Sequence, residues 1–143
     1  MHELTIKLKA EHQEIYKDLE NFMLALTKVK NNPDHEHLEK TCAELLSYVK
    51  DLLDNHFKEE ETSLFPEMMK DSPEIVERLI SDHKEIEEKF SKTTLAYEDF
   101  KKRIQDQYFT DYDYKKEILF LTYNLIATIN HHAIREDAVI LNP

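Results

Sequence analysis

Glycine and tryptophan are both absent from this 143-residue chain, which holds four prolines and one cysteine. Without glycine, the tight turns and bulges on which hairpins depend are hard to build, so a β-rich fold is excluded and an all-helical one expected. Cys42 has no second cysteine with which to form an internal disulfide. No segment approaches the roughly 18 apolar residues of a membrane span. The start, Met1-His2-Glu3-Leu4-Thr5, has neither the basic nor the apolar stretch of a signal peptide, so the expected location is cytoplasmic. Positive charge is scarce as well. Lys and Arg number 19 against 30 Asp and Glu, and the formal charge of -11 repels phosphate backbones and anionic headgroups, which excludes nucleic acid and membrane surfaces as partners.

What the chain does have is helical periodicity. Leu8, His12, Ile15, Leu19, Phe22, Leu26 and Val29 step by fours and threes, the spacing of one buried stripe, and predict a first helix over about residues 2–30. Asn31-Asn32-Pro33-Asp34 breaks it. A second stripe runs Leu38, Cys42, Leu45, Val49, Leu52, His56, Glu60 and Leu64, with Cys42 as core filler. Asp71-Ser72-Pro73-Glu74 then reads as a stop and a restart, Ser72 capping a helix whose first position is Pro73. The third stripe is Val76, Leu79, His83, Ile86, Phe90, Thr93, Tyr97, Phe100 and Ile104. Residues Gln105 to Asp113 read as a connection, and the fourth stripe is Ile118, Leu121, Leu125, Thr128, His132 and Glu136. Short connections between helices of similar length predict a single domain over residues 1–143, folded as an up-down-up-down antiparallel four-helix bundle.

In such a bundle the polar members of the stripes fall at one depth. His12 precedes Asn31 by 19 residues and His56 follows Asp34 by 22, while Glu60 precedes Ser72 by 12 and His83 follows it by 11. At ~1.5 Å per residue these offsets match, and His132 joins the same layer if the third helix ends near Ile104. A single histidine on a core stripe is usually a hydrogen-bonded core side chain. Four at one depth beside two glutamates are different, because each unpaired polar group there costs on the order of 1–3 kcal/mol and each carboxylate more. A bound cation pair removes that cost.

The spacing His-x-x-x-Glu is weak evidence by itself, since about one match is expected by chance and four occur. Position on a stripe sorts them. His56 with Glu60 and His132 with Glu136 lie on buried stripes, one helical turn apart, so imidazole and carboxylate reach the same ion. His35 with Glu39 starts the second helix on a polar face beside His37 and is assigned to solvent. His131 competes with His132 but lies off the stripe, as outer support or surface. The chain also repeats itself: Glu11-His12-Gln13-Glu14-Ile15 matches Asp82-His83-Lys84-Glu85-Ile86, and the run from His56 to Pro66 matches that from His132 to Pro143, with one extra residue in the second copy. Two helical hairpins, each giving a lone histidine and one His-x-x-x-Glu, imply two half-sites and two metals. Imidazole with carboxylate suits Fe, Mn or Zn, and the lack of cysteine argues against a structural zinc knuckle. Two shared carboxylates favour two non-haem iron ions with an oxo or hydroxo bridge.

In the order His12, His56-x-x-x-Glu60, His83, His132-x-x-x-Glu136 the chain resembles the hemerythrin-like, or HHE cation-binding, family over nearly its whole length. The strings Glu59-Glu60-Glu61-Thr62-Ser63-Leu64-Phe65-Pro66 and Arg135-Glu136-Asp137 are also similar to that family's helix ends. The resemblance implies terminal histidines and two bridging glutamates. It departs from the oxygen-carrying hemerythrins, which have a further histidine where Glu87 stands and end in His-x-x-x-x-Asp. The pattern is closer to a four-His, two-Glu branch that includes iron-sulfur cluster repair proteins. Glu87 and Tyr16, one turn after His83 and His12, are the candidates for completing the coordination. The expected function is binding of O2, NO or peroxide at the iron pair for sensing, detoxification or iron handling. Iron donation to iron-sulfur clusters is the second reading, and a metal-free helical interaction module the third.

Overall fold

The computed structural model describes residues 2–30, 35–105 and 112–141, all of them helical apart from the bend around Asp71 and Ser72. Helix α1 is His2–Lys30. Helix α2 covers residues 35–69 and is not one regular spiral. His35–Asp51 is α-helical, Leu52–His56 and Glu60–Leu64 are π turns on either side of the short stretch Phe57–Glu59, and Phe65–Met69 completes it. Helix α3 is Pro73–Gln105 and α4 is Tyr112–Glu136, prolonged by a π turn at Asp137–Leu141. The break expected at Asn31-Asn32-Pro33-Asp34 lies outside the described residues, as do positions 106–111 of the expected connection, whose other members, Gln105, Tyr112 and Asp113, are helical.

The π turn at Glu60–Leu64 has a local cause. Pro66 has no N–H to give to the Thr62 carbonyl and its ring crowds that oxygen, so the Phe65 N–H reaches back five residues to Glu60. A π turn takes up an extra residue, and this explains a run of three successive steps of four along the stripe, Leu52, His56, Glu60, Leu64. In a regular α-helix such a run drifts around the axis; all four are buried here. At the restart the Ser72 carbonyl accepts the Val76 N–H at 3.2 Å, as a capping residue does, with Pro73 in the first position.

Each helix packs on its neighbours in sequence and α1 also packs on α4, closing a ring of four. The start of α1 (Leu8), the end of α2 (Leu64, Phe65) and the start of α3 (Val76, Leu79) share one apolar cluster, which sets the helices antiparallel. A larger cluster, from Ile15 and Leu19 through Leu45, Val49, Ile86 and Leu125, fills the other end. Between the two lies a polar layer, since His12 falls between Leu8 and Ile15, and His83 between Leu79 and Ile86.

The stripe expected on α4 needs correction. Its buried line runs Ile118, Thr122, Leu125, Ile129, His132, Glu136, while Leu121 and Thr128 are half-buried flanks. Thr122 can occupy the core because its hydroxyl donates back to the Ile118 carbonyl at 2.8 Å and so brings no unsatisfied group with it. Among the described residues no helix is long and apolar enough to cross a membrane.

Cys42 is fully buried, and burial together with the nearby Glu39 carboxylate pushes its thiol up to about 12. Only thiolate reacts at useful rates. At neutral pH a thiol reagent should therefore leave the folded protein unlabelled for hours and label the denatured chain at once. Prompt stoichiometric labelling of folded protein would contradict this packing.

Candidate metal centre

The polar layer contains His12, His56, Glu60, His83, His132 and Glu136, each no more than 6% exposed. Helix α1 supplies His12, α2 both His56 and Glu60, α3 His83, and α4 both His132 and Glu136. Their ligand atoms form two overlapping groups: His12, His56, Glu60 and Glu136, then Glu60, His83, His132 and Glu136, with the atoms of each group within 4.8 Å of one another. The two carboxylates are common to both.

Geometry within the groups is that of two shared bridges. Glu60 turns Oε2 towards His12 and His56, at 3.5 and 3.3 Å from their Nε2 atoms, and Oε1 towards His83, at 3.1 Å. Glu136 sets Oε1 3.0 Å from His12 Nε2 and Oε2 3.0 Å from His132 Nε2. The Nε2 atoms also face one another in pairs, His12 with His56 at 3.2 Å and His83 with His132 at 3.0 Å. Each carboxylate thus offers one oxygen to each histidine pair.

Every ring is oriented from behind by a second carboxylate. His12 Nδ1 lies 2.6 Å from Asp137, His56 Nδ1 2.7 Å from Glu11, His83 Nδ1 3.2 Å from Glu61, and His132 Nδ1 3.1 Å from Asp82. An ionised carboxylate only accepts, so each Nδ1 carries the proton and donates it outward. That leaves the Nε2 lone pairs pointing into the layer, the tautomer that a metal-binding imidazole needs. The internal repeat is reproduced in space. Glu11 serves His56 within the first half and Asp82 serves His132 within the second, whereas Glu61 and Asp137 cross over to the lone histidine of the opposite half.

Without a cation this arrangement is frustrated. Among the described residues, Glu60 Oε2 and both Glu136 oxygens are buried with no hydrogen-bond partner. Lone pairs from paired imidazoles meet at close to 3 Å. Breaking the compensation of a buried carboxylate costs several kcal/mol, so such a set fits one or two cations held between the carboxylates. Burial alone would push the Glu60 carboxyl up, yet His12, His132, His56 and His83 hold it well below the usual carboxylate range, and it stays ionised. Burial likewise lowers His12, His56 and His132, but bonds to Glu60 and to Asp137, Glu11 or Asp82 outweigh it and raise all three. These surroundings favour any positive charge at Nε2, a proton or a metal ion.

The other expected residues fall elsewhere. Tyr16 belongs to neither group; its hydroxyl donates to Asp137 Oδ2, so it braces the carboxylate that holds His12. Glu87 is exposed on the outer face of α3, because the buried line leaves His83 by a step of three, to Ile86. His131 is exposed. His35, assigned to solvent, is instead half-buried with its ring 6.1 Å from that of Phe100, because the second helix begins close against α3. The four outer carboxylates were missed. Their signal is nonetheless in the repeat: an acidic residue directly precedes each lone histidine, and another directly follows each shared glutamate.

A family model described as Hemerythrin HHE cation binding domain matches residues 3–142. Neither the curated proteins nor the solved structures give a significant match.

Because the outer carboxylates set the tautomer, removing their charge should weaken cation binding without dismantling the bundle. Glu11→Gln and Asp137→Asn should each lower Co2+ affinity about 10- to 100-fold in equilibrium dialysis, the usual cost of losing such a partner. Unchanged affinity in both would show that they do not orient the rings.

Proposed function

Because the chain belongs to the hemerythrin HHE cation-binding domain family, whose model spans nearly its whole length, we propose that it is a non-haem di-iron protein. In this reading His12 and His56 would hold one ion and His83 and His132 the other, with Glu60 and Glu136 available to both. The observation that carries it is the division of both carboxylates between two histidine pairs, with Oε1 and Oε2 of each facing opposite pairs. A site for one ion has no use for a second such set. The proposal treats residues 1–143 as one domain, of the four-His, two-Glu branch, working in the cytoplasm and not on nucleic acid.

Iron bound here supplies one-electron redox chemistry and affinity for small ligands such as O2, NO or peroxide. The chain's own residues do the rest. Glu11, Glu61, Asp82 and Asp137 keep the Nδ1 protons in place and hold the rings at a fixed angle. Phe57 and Phe65, both at most 3% exposed, pack against the histidines and exclude water. A dry pocket with two His per ion suits a small uncharged ligand, for sensing, detoxification or iron handling. Iron donation to iron-sulfur clusters is the second reading. It is favoured by the position of His56, the most exposed of the six at 6%, in the wall of an open groove. The metal-free interaction module is disfavoured by the three unpartnered carboxylate oxygens.

The test is metal analysis of untagged protein after anaerobic reconstitution with ferrous iron. Two irons per chain are expected, with near-ultraviolet charge-transfer absorption after oxidation. Fewer than about one metal per chain would defeat the proposal. His56→Ala and Glu60→Ala should release iron while His35→Ala retains it, and equal loss in all three would mean that the polar layer is not the site. Stopped-flow mixing of the reduced protein with O2, NO and peroxide in turn then identifies the ligand. Chelation should also lower the thermal midpoint by roughly 10 °C, since a ligand at about a thousand times its Kd adds about 4 kcal/mol. An unchanged midpoint would mean that the layer is stable empty.

A further inference from the structure

The two halves of the layer match in their ligand atoms but not in what surrounds them. Behind His132, Asp82 is clamped by Arg135, whose Nη1 lies 2.7 and 2.9 Å from its two oxygens. In the repeated half Glu59 stands where Arg135 does, bonded to Lys7 at 2.9 Å, and among the described residues no arginine clamps Glu11 as Arg135 clamps Asp82. Aromatic cover is uneven too. Phe57 packs against His83, His56 and His132 at 4.6, 5.5 and 5.6 Å, so it covers both ends, whereas Phe65 adds a second ring at His83, 5.2 Å away. His56 also lines a groove of about 930 Å3 between α1 and α2.

That groove is acidic. Glu11, Glu14, Asp18, Asp51, Asp54 and Glu59 line it, against Lys7 and Lys58. An acidic surface alone is ordinary on so negative a chain. Here the carboxylates surround His56, which borders the groove, and its Nε2 lies 3.3 Å from Glu60 Oε2, a fully buried oxygen with no hydrogen-bond partner among the described residues. Glu11 connects the two zones: its side chain is 34% exposed, and its Oε1 holds His56 Nδ1.

We propose that the α1–α2 groove is the entry route for hydrated divalent cations, delivering them past Glu11 to the His12–His56 end of the layer. The proposal rests on the metal-binding reading above and adds a direction to it. A cleft lined by one sign of charge concentrates counter-ions and speeds their arrival by about 10- to 1,000-fold, an effect that salt weakens. The His83–His132 end, with Phe65 over His83 and Asp82 clamped by Arg135, fills second.

The test is stopped-flow uptake of Co2+ by the full chain, followed by its visible absorption, at low and high salt. Glu14 and Asp51 are exposed and belong to neither ligand group nor to the outer carboxylates. Glu14→Lys with Asp51→Lys should slow uptake at low salt by about tenfold or more, with the difference shrinking at high salt and the final stoichiometry unchanged. The milder pair Glu14→Gln with Asp51→Asn should fall between, which covers poor folding of the reversal. A control with the same net charge, Glu77→Lys with Glu88→Lys on exposed positions of α3, should load at the wild-type rate. Equal slowing by the control, or no slowing by either groove pair, overturns the route while leaving the metal site standing. A wild-type chain that takes up no Co2+ overturns both.

Discussion

A carboxylate without water or a proton donor is among the costliest groups a protein interior can hold, and this bundle holds two of them in one layer. Glu60 and Glu136 are fully buried, and three of their four oxygens have no hydrogen-bond partner among the described residues. The four imidazoles beside them favour the ionised Glu60. With their Nδ1 protons given to Asp137, Glu11, Glu61 and Asp82, however, they need a further positive charge at Nε2, a proton or a metal ion, to satisfy both carboxylates. Oxygen and nitrogen lone pairs converge on the same space. Positive charge is the one thing that makes the arrangement favourable, and the rest of the structure follows from supplying it. The apolar clusters above and below keep the layer dry, and the π turns of α2 keep Leu52 and Leu64 on one line with His56 and Glu60.

The repeat of sequence becomes a repeat of chemistry. Each hairpin brings one lone histidine, one His-x-x-x-Glu pair and two supporting acids, and the exchange of Glu61 and Asp137 between halves ties the hairpins through the site itself. Where the halves differ, the difference falls outside the ligand set. Arg135 answers Asp82 in one half, and Glu59 turns to Lys7 in the other. The ends of the layer therefore share a ligand chemistry but not an environment: Phe57 serves both, Phe65 adds cover at His83, and His56 borders a groove.

Much of this was legible in the residues. The bundle follows from four apolar stripes in a chain without glycine, and the depth of the polar layer follows from counting residues to Ser72, because an α-helix has a fixed rise. Convergence of the six polar residues was legible for the same reason. The α4 stripe was misread at Leu121 and Thr128 because periodicity cannot distinguish a buried threonine, satisfied by its own helix, from an exposed one. Glu87 was offered as inward because a step of four looks like a step along the stripe, and only the packing of Ile86 shows which way α3 turns. The outer carboxylates were overlooked because acids are common here, so their adjacency to the ligands stood out only once the rings were placed. The π turns were foreshadowed by the run of fours from Leu52 to Leu64 and by Pro66, but hydrogen-bond registers are not written in periodicity alone.

The central claim is that two cations sit between Glu60 and Glu136. Anomalous diffraction at the iron edge, from crystals of the reconstituted protein, tests it most directly. The account predicts two peaks, one against the Nε2 atoms of His12 and His56 and one against those of His83 and His132, with both glutamates spanning them. A single peak, peaks remote from these residues, or an empty layer with the same side-chain positions would contradict it.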